Sequence, residues 1–226
     1  VRFLGLALFA EGPTDYRFLG PLLRRVTEDL CLREASESVE ITEVLALVRS
    51  RESASLPREL QILDAMRRAS GAFSLLFIHA DGSGDPVAAR KHQVQPAISR
   101  ILEHGGPSGV GAVPVIPVRE TEAWALVDGQ ALRRAFGTSL DDAELGLPPR
   151  PADVERIPDP KAALDHACRI AIGAGHRRRR RAAAFLEAIA ESLSLDRLQQ
   201  VPAFRQFEQD LRDGLEILRV LRGAHG

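Results

Sequence analysis

Two stretches decide the fold: FLGLALFAEGPTD (residues 3–15) and FSLLFIHADGSGD (residues 73–85). Each opens with a mostly apolar run of eight and ends abruptly in an acidic, glycine-containing turn. Such a run bounded by a turn reads as a strand buried on both faces, the habit of parallel sheets. Behind the first turn, TDYRFLGPLLRRVTEDLCLR (residues 14–33) puts Phe18, Leu19, Leu22, Leu23, Val26 and Leu30 on one helical face. Thr14 is the expected N-cap, and Asp15 sits near the positive end of the helix dipole. Pro21 lacks an amide hydrogen and is expected to kink or restart this helix.

The pattern continues outward. VEITEVLALV (39–48) reads as a strand and PRELQILDAMRRA (57–69) as a helix with Leu60, Leu63 and Met66 at helical spacing. A helix is expected over 86–104, then a strand in VGAVPVIPV (110–118), with ETEAWALVD (120–128) opening a helix directly after it. Strands alternating with helices predict an α/β fold, a Rossmann-like α/β/α sandwich around a mainly parallel sheet. Ligands of such sheets sit outside the carboxyl ends of the strands. The turns EGPTD, DGSGD and RETE each follow a strand, so they are expected to converge on one sheet edge.

Beyond residue 137 the character changes. Residues 138–160 are rich in proline and acid and read as a linker or irregular excursion. The rest reads as helices only: PKAALDHACRIAI, RAAAFLEAIAESL and FRQFEQDLRDGLEILRVL. The expected organisation is therefore an α/β domain over 1–137, with 138–226 as linker and C-terminal helical elaboration packed on it.

Of the 226 residues, 45% are hydrophobic and 27% charged, with a formal net charge of −1. A near-neutral chain announces no nucleic-acid partner by bulk charge, although metal ions and local basic residues can supply the positive field. With one Trp and one Tyr, the chain lacks the aromatic platform of single-strand binders. Cys31 and Cys168, far apart in apolar helical contexts, read as buried free thiols, and no Cys/His cluster suggests zinc. The apolar run over 3–10 is too short to span a bilayer and lacks signal-peptide architecture, which points to a cytoplasmic protein. There is no Gly-x-x-x-x-Gly-Lys-Ser/Thr loop, so Walker-type ATP hydrolysis is excluded, and no Gly-x-Ser-x-Gly elbow.

What chemistry the sequence offers is carboxylate chemistry. Glu11 closes a buried strand, and Gly12 behind it lets the backbone turn and approach a ligand. Asp81 holds the equivalent place after the other strand, with Gly82 and Gly84 following and Asp85 four residues on. Hard oxygen ligands of this kind suit Mg²⁺, with Mn²⁺ as its substitute. Such an ion keeps several waters and binds through few carboxylates plus substrate phosphate. Phosphodiester cleavage uses it to neutralise charge, activate water and stabilise the departing oxygen. Glu120 and Glu122, two residues apart at a helix start, are expected to point apart, so that only one faces the site. Asp128 reads as a helix-end group.

Strand–EGPTD–helix paired with strand–HADGSGD resembles the Toprim domain shared by topoisomerases, primases and OLD-type (overcoming lysogenisation defect) nucleases. IPVRETEAWALVD further resembles small bacterial Toprim-related proteins linked to defence-associated nucleases. The resemblance covers residues 3–128. It implies a metal-dependent nuclease site with one or two ions, acting on DNA or RNA. Glu11 would match the family's lone glutamate as general acid/base or metal-facing residue, and Asp81 the first aspartate of its Asp-x-Asp pair. Position 83 is Ser where the family carries the second aspartate. Asp85 reaches the ion only if the glycines fold the turn back; otherwise Ser83 or a water fills that place. The resemblance favours Glu122 over Glu120, as ligand to a second ion. It also implies work in bacterial defence or repair beside an ABC/SMC-type ATPase partner. The competing expectation is a non-catalytic Toprim-like module docking on that ATPase. Oligomeric state is left open, a homodimer among the options.

The basic run HRRRRR (176–181), with Arg177, Arg178, Arg179 and Arg180 at its centre, could track phosphates or form a solvated helix start or loop that pairs with nearby acids. Lys161, after Asp-Pro at an expected helix start, is a second candidate phosphate contact. His79 is read as alternating away from Asp81, core-facing or satisfied locally, and His92 as facing solvent.

Overall fold

The computed structural model describes residues 1–103, 109–173 and 181–221. Four strands form one all-parallel sheet: β1 (Arg2–Phe9), β2 (Val39–Leu47), β3 (Leu75–His79) and β4 (Gly111–Val115), in the order β2-β1-β3-β4. The chain runs from β1 outward to β2, then crosses back over β1 to β3 and β4. The direction of winding therefore reverses between β1 and β3. Their carboxyl ends flank the topological switch point, the crevice where open α/β sheets bind ligands.

Because winding reverses there, the sheet is covered on both faces. Leu4, Leu6 and Leu8 of β1 point to one side, with Phe77 and Val113, and pack under α1 (Pro13–Glu34) and the C-terminal helices. Ala7 and Phe9 point to the other, with Leu76 and Ile78, beneath α2 (Arg58–Arg68). Also on that side lies a helical run made of α3 (Pro86–Ala89), a π-helical turn at Arg90–Val94 and α4 (Gln95–Glu103). This is the expected α/β/α sandwich.

Helix α1 runs unbroken through Pro21, against the expected kink. Phe18, Leu19, Leu22 and Leu23 flank the proline and are fully buried. Each contributes roughly 1.5–3 kcal/mol by burial, enough together to hold the turn that lacks one amide donor. The N-cap is Gly12 rather than Thr14, and the Asp15 carboxylate accepts the Gly12 N–H at 2.9 Å.

After β4 come α5 (Glu122–Ala125), α6 (Gly129–Phe136), α7 (Pro160–Ile172), α8 (Leu186–Ser192), α9 (Leu195–Leu198) and α10 (Pro202–Ile217). The stretch between α6 and α7 holds a 3₁₀ turn at Pro151–Arg156 and buries Leu145 and Val154 in the same cluster as the sheet. Trp124 meets Phe204 edge-on at 5.2 Å and lies 6.0 Å from Phe207, which in turn lies 6.2 Å from Phe77 of β3. This aromatic chain fixes the single turn of α5 against the sheet, and Glu122 with it. Asp128 caps α6 and also accepts the Ser194 N–H, the helix-end role expected of it. Cys31 and Cys168 are buried, and burial pushes both thiols up to about 11. Among the described residues no helix is long and apolar enough to cross a membrane.

Candidate active site

The turns after β1, β3 and β4 come together at the switch point. The loop after β3 is zipped onto the segment after β4. Gly82 N–H donates to Pro117 O (3.1 Å), Ser83 N–H to Arg119 O (3.3 Å) and Gly84 N–H to Val118 O (2.7 Å). Contact this close requires glycine: a Cβ at Gly82 would collide with the Pro117 carbonyl oxygen and stand 2.5 Å from that of Val118. Ser83 (φ 49°) and Gly84 (φ 93°) both adopt the left-handed region as the loop folds back.

His79 is at the centre. The sequence reading turned it away from Asp81, and the structure corrects this: residues two apart on a strand share a face. His79 Nε2 lies 3.3 Å from Asp81 Oδ1 and 3.9 Å from Asp15 Oδ1. The 3.3 Å approach is off hydrogen-bond alignment, leaving Asp81 Oδ1 and His79 Nε2 buried without a bond. The other nitrogen, Nδ1, is 3.0 Å from the Val115 carbonyl, which can only accept. Nδ1 therefore carries a proton, and Nε2 is attracted to two carboxylates only if it carries one as well. Burial pushes the His79 pKa down. The Asp81 carboxylate, the Asp15 charge and the Val115 carbonyl together outweigh burial and hold it above the ordinary histidine value.

Arg58, the first residue of α2, ties the two strand ends together. It donates to Glu11 Oε1 (2.9 Å) and to the His79 carbonyl (2.6 Å), with its guanidinium 5.8 Å from the centre of the Phe9 ring. Glu11 itself remains 46% exposed. On the other side of His79, Thr121 Oγ1 stands 3.2 Å from Asp15 Oδ1 and 3.4 Å from Glu122 Oε2, one hydroxyl proton between two carboxylates. Burial raises the Glu122 pKa, and the charges of Glu120 and Asp15 add to it; its own backbone N–H and Lys161 act in the opposite direction. Glu120 and Glu122 are thus close enough for their charges to interact, while their oxygens meet different partners. Glu120 Oε2 accepts the Lys161 backbone N–H at 3.3 Å, where α7 begins.

The residues named from sequence fall into four groups. Glu11, Asp81 and Glu122 join one polar network, linked through Arg58, His79, Asp15 and Thr121. Asp85 stands apart, as N-cap of α3, its Oδ1 accepting the Ala88 N–H at 2.9 Å. Lys161 borders the network through its backbone, with its side chain exposed. Arg177, Arg178, Arg179 and Arg180 lie outside the described residues. Arg181 precedes α8 by five residues, so it does not lie in that helix's first turn.

Among the described residues no three His, Cys, Asp or Glu side chains form a group that could hold a metal ion by themselves. A hydrated Mg²⁺ does not need one, since it is commonly bound by one or two carboxylates, waters and substrate phosphate. Asp81 has the character such an ion uses. One oxygen is buried against His79 with no hydrogen bond, while the side chain as a whole is 33% exposed. It is held from behind and open in front, as second-shell histidines and carboxylates hold metal ligands elsewhere. The donor set therefore fits a mostly hydrated divalent cation.

Over residues 10–212 the chain matches the family described as "Domain of unknown function (DUF4276)", and it belongs to that family. The match begins just before Glu11 and takes in Asp81, Glu122 and Lys161, so the whole network and the C-terminal helices as far as the middle of α10 fall within one family unit. No curated protein and no solved structure matches the chain.

Proposed function

We propose that this member of the DUF4276 family is a Mg²⁺-dependent phosphodiesterase of Toprim type that cleaves DNA or RNA. The observation that carries the reading is Asp81, a strand-end carboxylate at the switch point, backed by a buried histidine and open to solvent. Asp81 and Glu11 would hold the ion, with Glu122 serving a second. When bound, the cation supplies charge neutralisation at the phosphate and lowers the pKa of water.

The chain's own residues do the rest. His79 sits between Asp15 and Asp81 and offsets their charge, so that two carboxylates can lie close together in a poorly hydrated site. Arg58 orients Glu11 and brings a guanidinium to the rim, where phosphate oxygens can compete with Glu11 for it. Glu11, exposed and hydrogen-bonded on one oxygen, is placed to take or deliver a proton at the reacting oxygen. Glu122, with its raised pKa, can hold a proton nearer neutrality than an ordinary carboxylate. The basic run over 176–181 and Lys161 supply the candidate contacts to flanking phosphates. In this reading the protein works in bacterial defence or repair beside an ATP-hydrolysing partner, a step that rests on the Toprim resemblance alone.

One observation favours a second reading, a non-catalytic module docking on that ATPase. Asp85, the only aspartate near the place of the family's second one, is used as a helix cap. Incubation of the protein with supercoiled plasmid and with tRNA, in Mg²⁺ or Mn²⁺, separates the two. Metal-dependent cleavage of either substrate, lost in Glu11→Gln and Asp81→Asn, is the expected result. Intact substrates in every condition, with or without an ATPase partner, would leave only the docking module.

A further inference from the structure

Beside Glu11 the carboxyl ends of β1 and β2 enclose a cleft of about 680 Å³. Its walls are Phe9, Tyr16, Ala46 and Val48, and its cations are Arg49 and Arg58. The volume lies within the range of about 300–1,000 Å³ typical of small-ligand sites. We propose that this cleft binds one nucleoside phosphate, its base on the Tyr16–Val48 wall and its phosphate at Arg49 and Arg58 beside Glu11. The proposal rests on the phosphodiesterase reading for its link to cleavage, and deepens it by naming the substrate unit: an unpaired nucleotide.

Four features of the cleft carry this. The cleft is concave and joins apolar side chains to the two cations Arg49 and Arg58, which suits a flat heterocycle joined to an anion better than a peptide or a sugar chain. Tyr16 is rigid: its hydroxyl donates to the Leu47 carbonyl at 2.7 Å and accepts the Ala10 N–H at 3.0 Å. An aromatic ring locked in this way loses little entropy when a base packs on it, and base–aromatic stacking is worth about 1–3 kcal/mol. Arg49 is exposed and has no ion-pair partner among the described residues, so its charge is available to an incoming anion. Gly12 and Pro13 bring the N-terminus of the 22-residue α1 to the cleft wall, adding the positive end of its dipole to the same corner.

Only an unstacked base fits such a cleft, because a paired base is covered on both faces by its neighbours and held in the duplex. The substrate is therefore single-stranded nucleic acid, or a duplex end or flap whose terminal nucleotide has frayed. A free nucleoside monophosphate carries the same chemistry and is the simplest probe.

Isothermal titration calorimetry in EDTA, where cleavage is suppressed, tests this on the full chain. The probes are AMP, adenosine, inorganic phosphate, a single-stranded oligonucleotide and the same sequence as a blunt duplex. AMP and the single strand should bind saturably, with adenosine, phosphate and duplex each weaker by about tenfold or more. Ala46→Trp fills the cleft from an exposed strand-end position, and Arg49→Glu reverses its free charge. Both should weaken AMP by about tenfold or more while circular dichroism melting stays at the wild-type temperature. Saturable AMP binding that survives Ala46→Trp, or no saturable binding of AMP and single strand, overturns the cleft assignment. AMP binding lost in Ala46→Trp in a protein that cleaves nothing supports the cleft and overturns the phosphodiesterase reading instead. Cleavage without nucleotide binding does the reverse.

Discussion

His79 Nε2 stands 3.3 Å from Asp81 Oδ1 while its other ring nitrogen meets the Val115 carbonyl, so a fully buried imidazole backs a partly exposed carboxylate. The two residues lie two apart on one strand end and depend on each other unequally. Removing His79 leaves Asp81 and Asp15 facing each other across a buried space. His79→Leu should therefore destabilise the fold by about 3–5 kcal/mol, the range for breaking a buried charged group's partnership. Asp81→Asn, at a side chain one-third exposed, should cost about 1 kcal/mol or less and still abolish cleavage. Urea denaturation of both variants checks this; equal losses of stability would show that His79 does not offset the two carboxylates.

Gly82 gives a sharper structural test, since the zipped loops depend on its missing side chain. Gly82→Ala should destabilise by about 3 kcal/mol or more, because the new methyl meets backbone oxygen that cannot move aside. Gly20, inside α1 with nothing within 4 Å of an added Cβ, should behave in the opposite way. Gly20→Ala is expected to stabilise by roughly 0.5–1 kcal/mol through helix propensity. Thermal melting of the pair checks both signs.

Much of this was legible in the sequence, and what was missed has identifiable physical causes. Continuous apolar runs ending in acidic turns gave β1 and β3, and with them Glu11 and Asp81 at the strand ends. The role of His79 was also present in the sequence, because the two-residue strand period puts it on the face of Asp81. Asp15 was read only as a dipole charge, although its place in the first turn of α1 brings it to the site. Arg58 and Thr121 carried no local signal. Arg58 reaches Glu11 across 47 positions only because the chain returns over β1, and Thr121 meets Asp15 across 106. Pro21 misled because local backbone preference was outweighed by the buried leucines and phenylalanine around it.

Glu122 should be a site residue that costs stability. Burial, with Glu120 and Asp15 nearby, raises its folded pKa above the unfolded value. A group shifted this way contributes fully below the ordinary glutamate pKa of about 4.3, and that contribution is lost as pH rises through the folded value. Glu122→Gln should therefore raise the denaturation midpoint at pH 7.5 in EDTA, with the gain vanishing toward pH 4. A lower midpoint at pH 7.5 would mean that the ionised carboxylate stabilises the site.

Glu34 works with the opposite sign. Arg212 of α10 grips its carboxylate with two bonds of 2.9 Å, tying the end of α1 to the C-terminal helix. The Arg212 hydrogen bonds, and the charges of Arg212 and Arg33, outweigh partial burial and lower the Glu34 pKa. Its contribution is present above the unfolded value of about 4.3 and is lost as pH falls through the folded one. Glu34→Gln should cost about 1 kcal/mol at pH 7 and little at pH 3. Urea midpoints at the two pH values check it, and an equal cost at both would remove the ion pair from the account.

The central claim is that Asp81 is the carboxylate that receives a divalent ion at the switch point. Mn²⁺ titration followed by electron paramagnetic resonance measures this directly, through loss of the free-ion signal on binding. Wild-type protein should bind Mn²⁺ saturably and Asp81→Asn should lose at least about tenfold in affinity. Asp85→Asn, whose amide oxygen can still cap α3, should bind as wild type does. Undiminished Mn²⁺ binding by Asp81→Asn would contradict the claim.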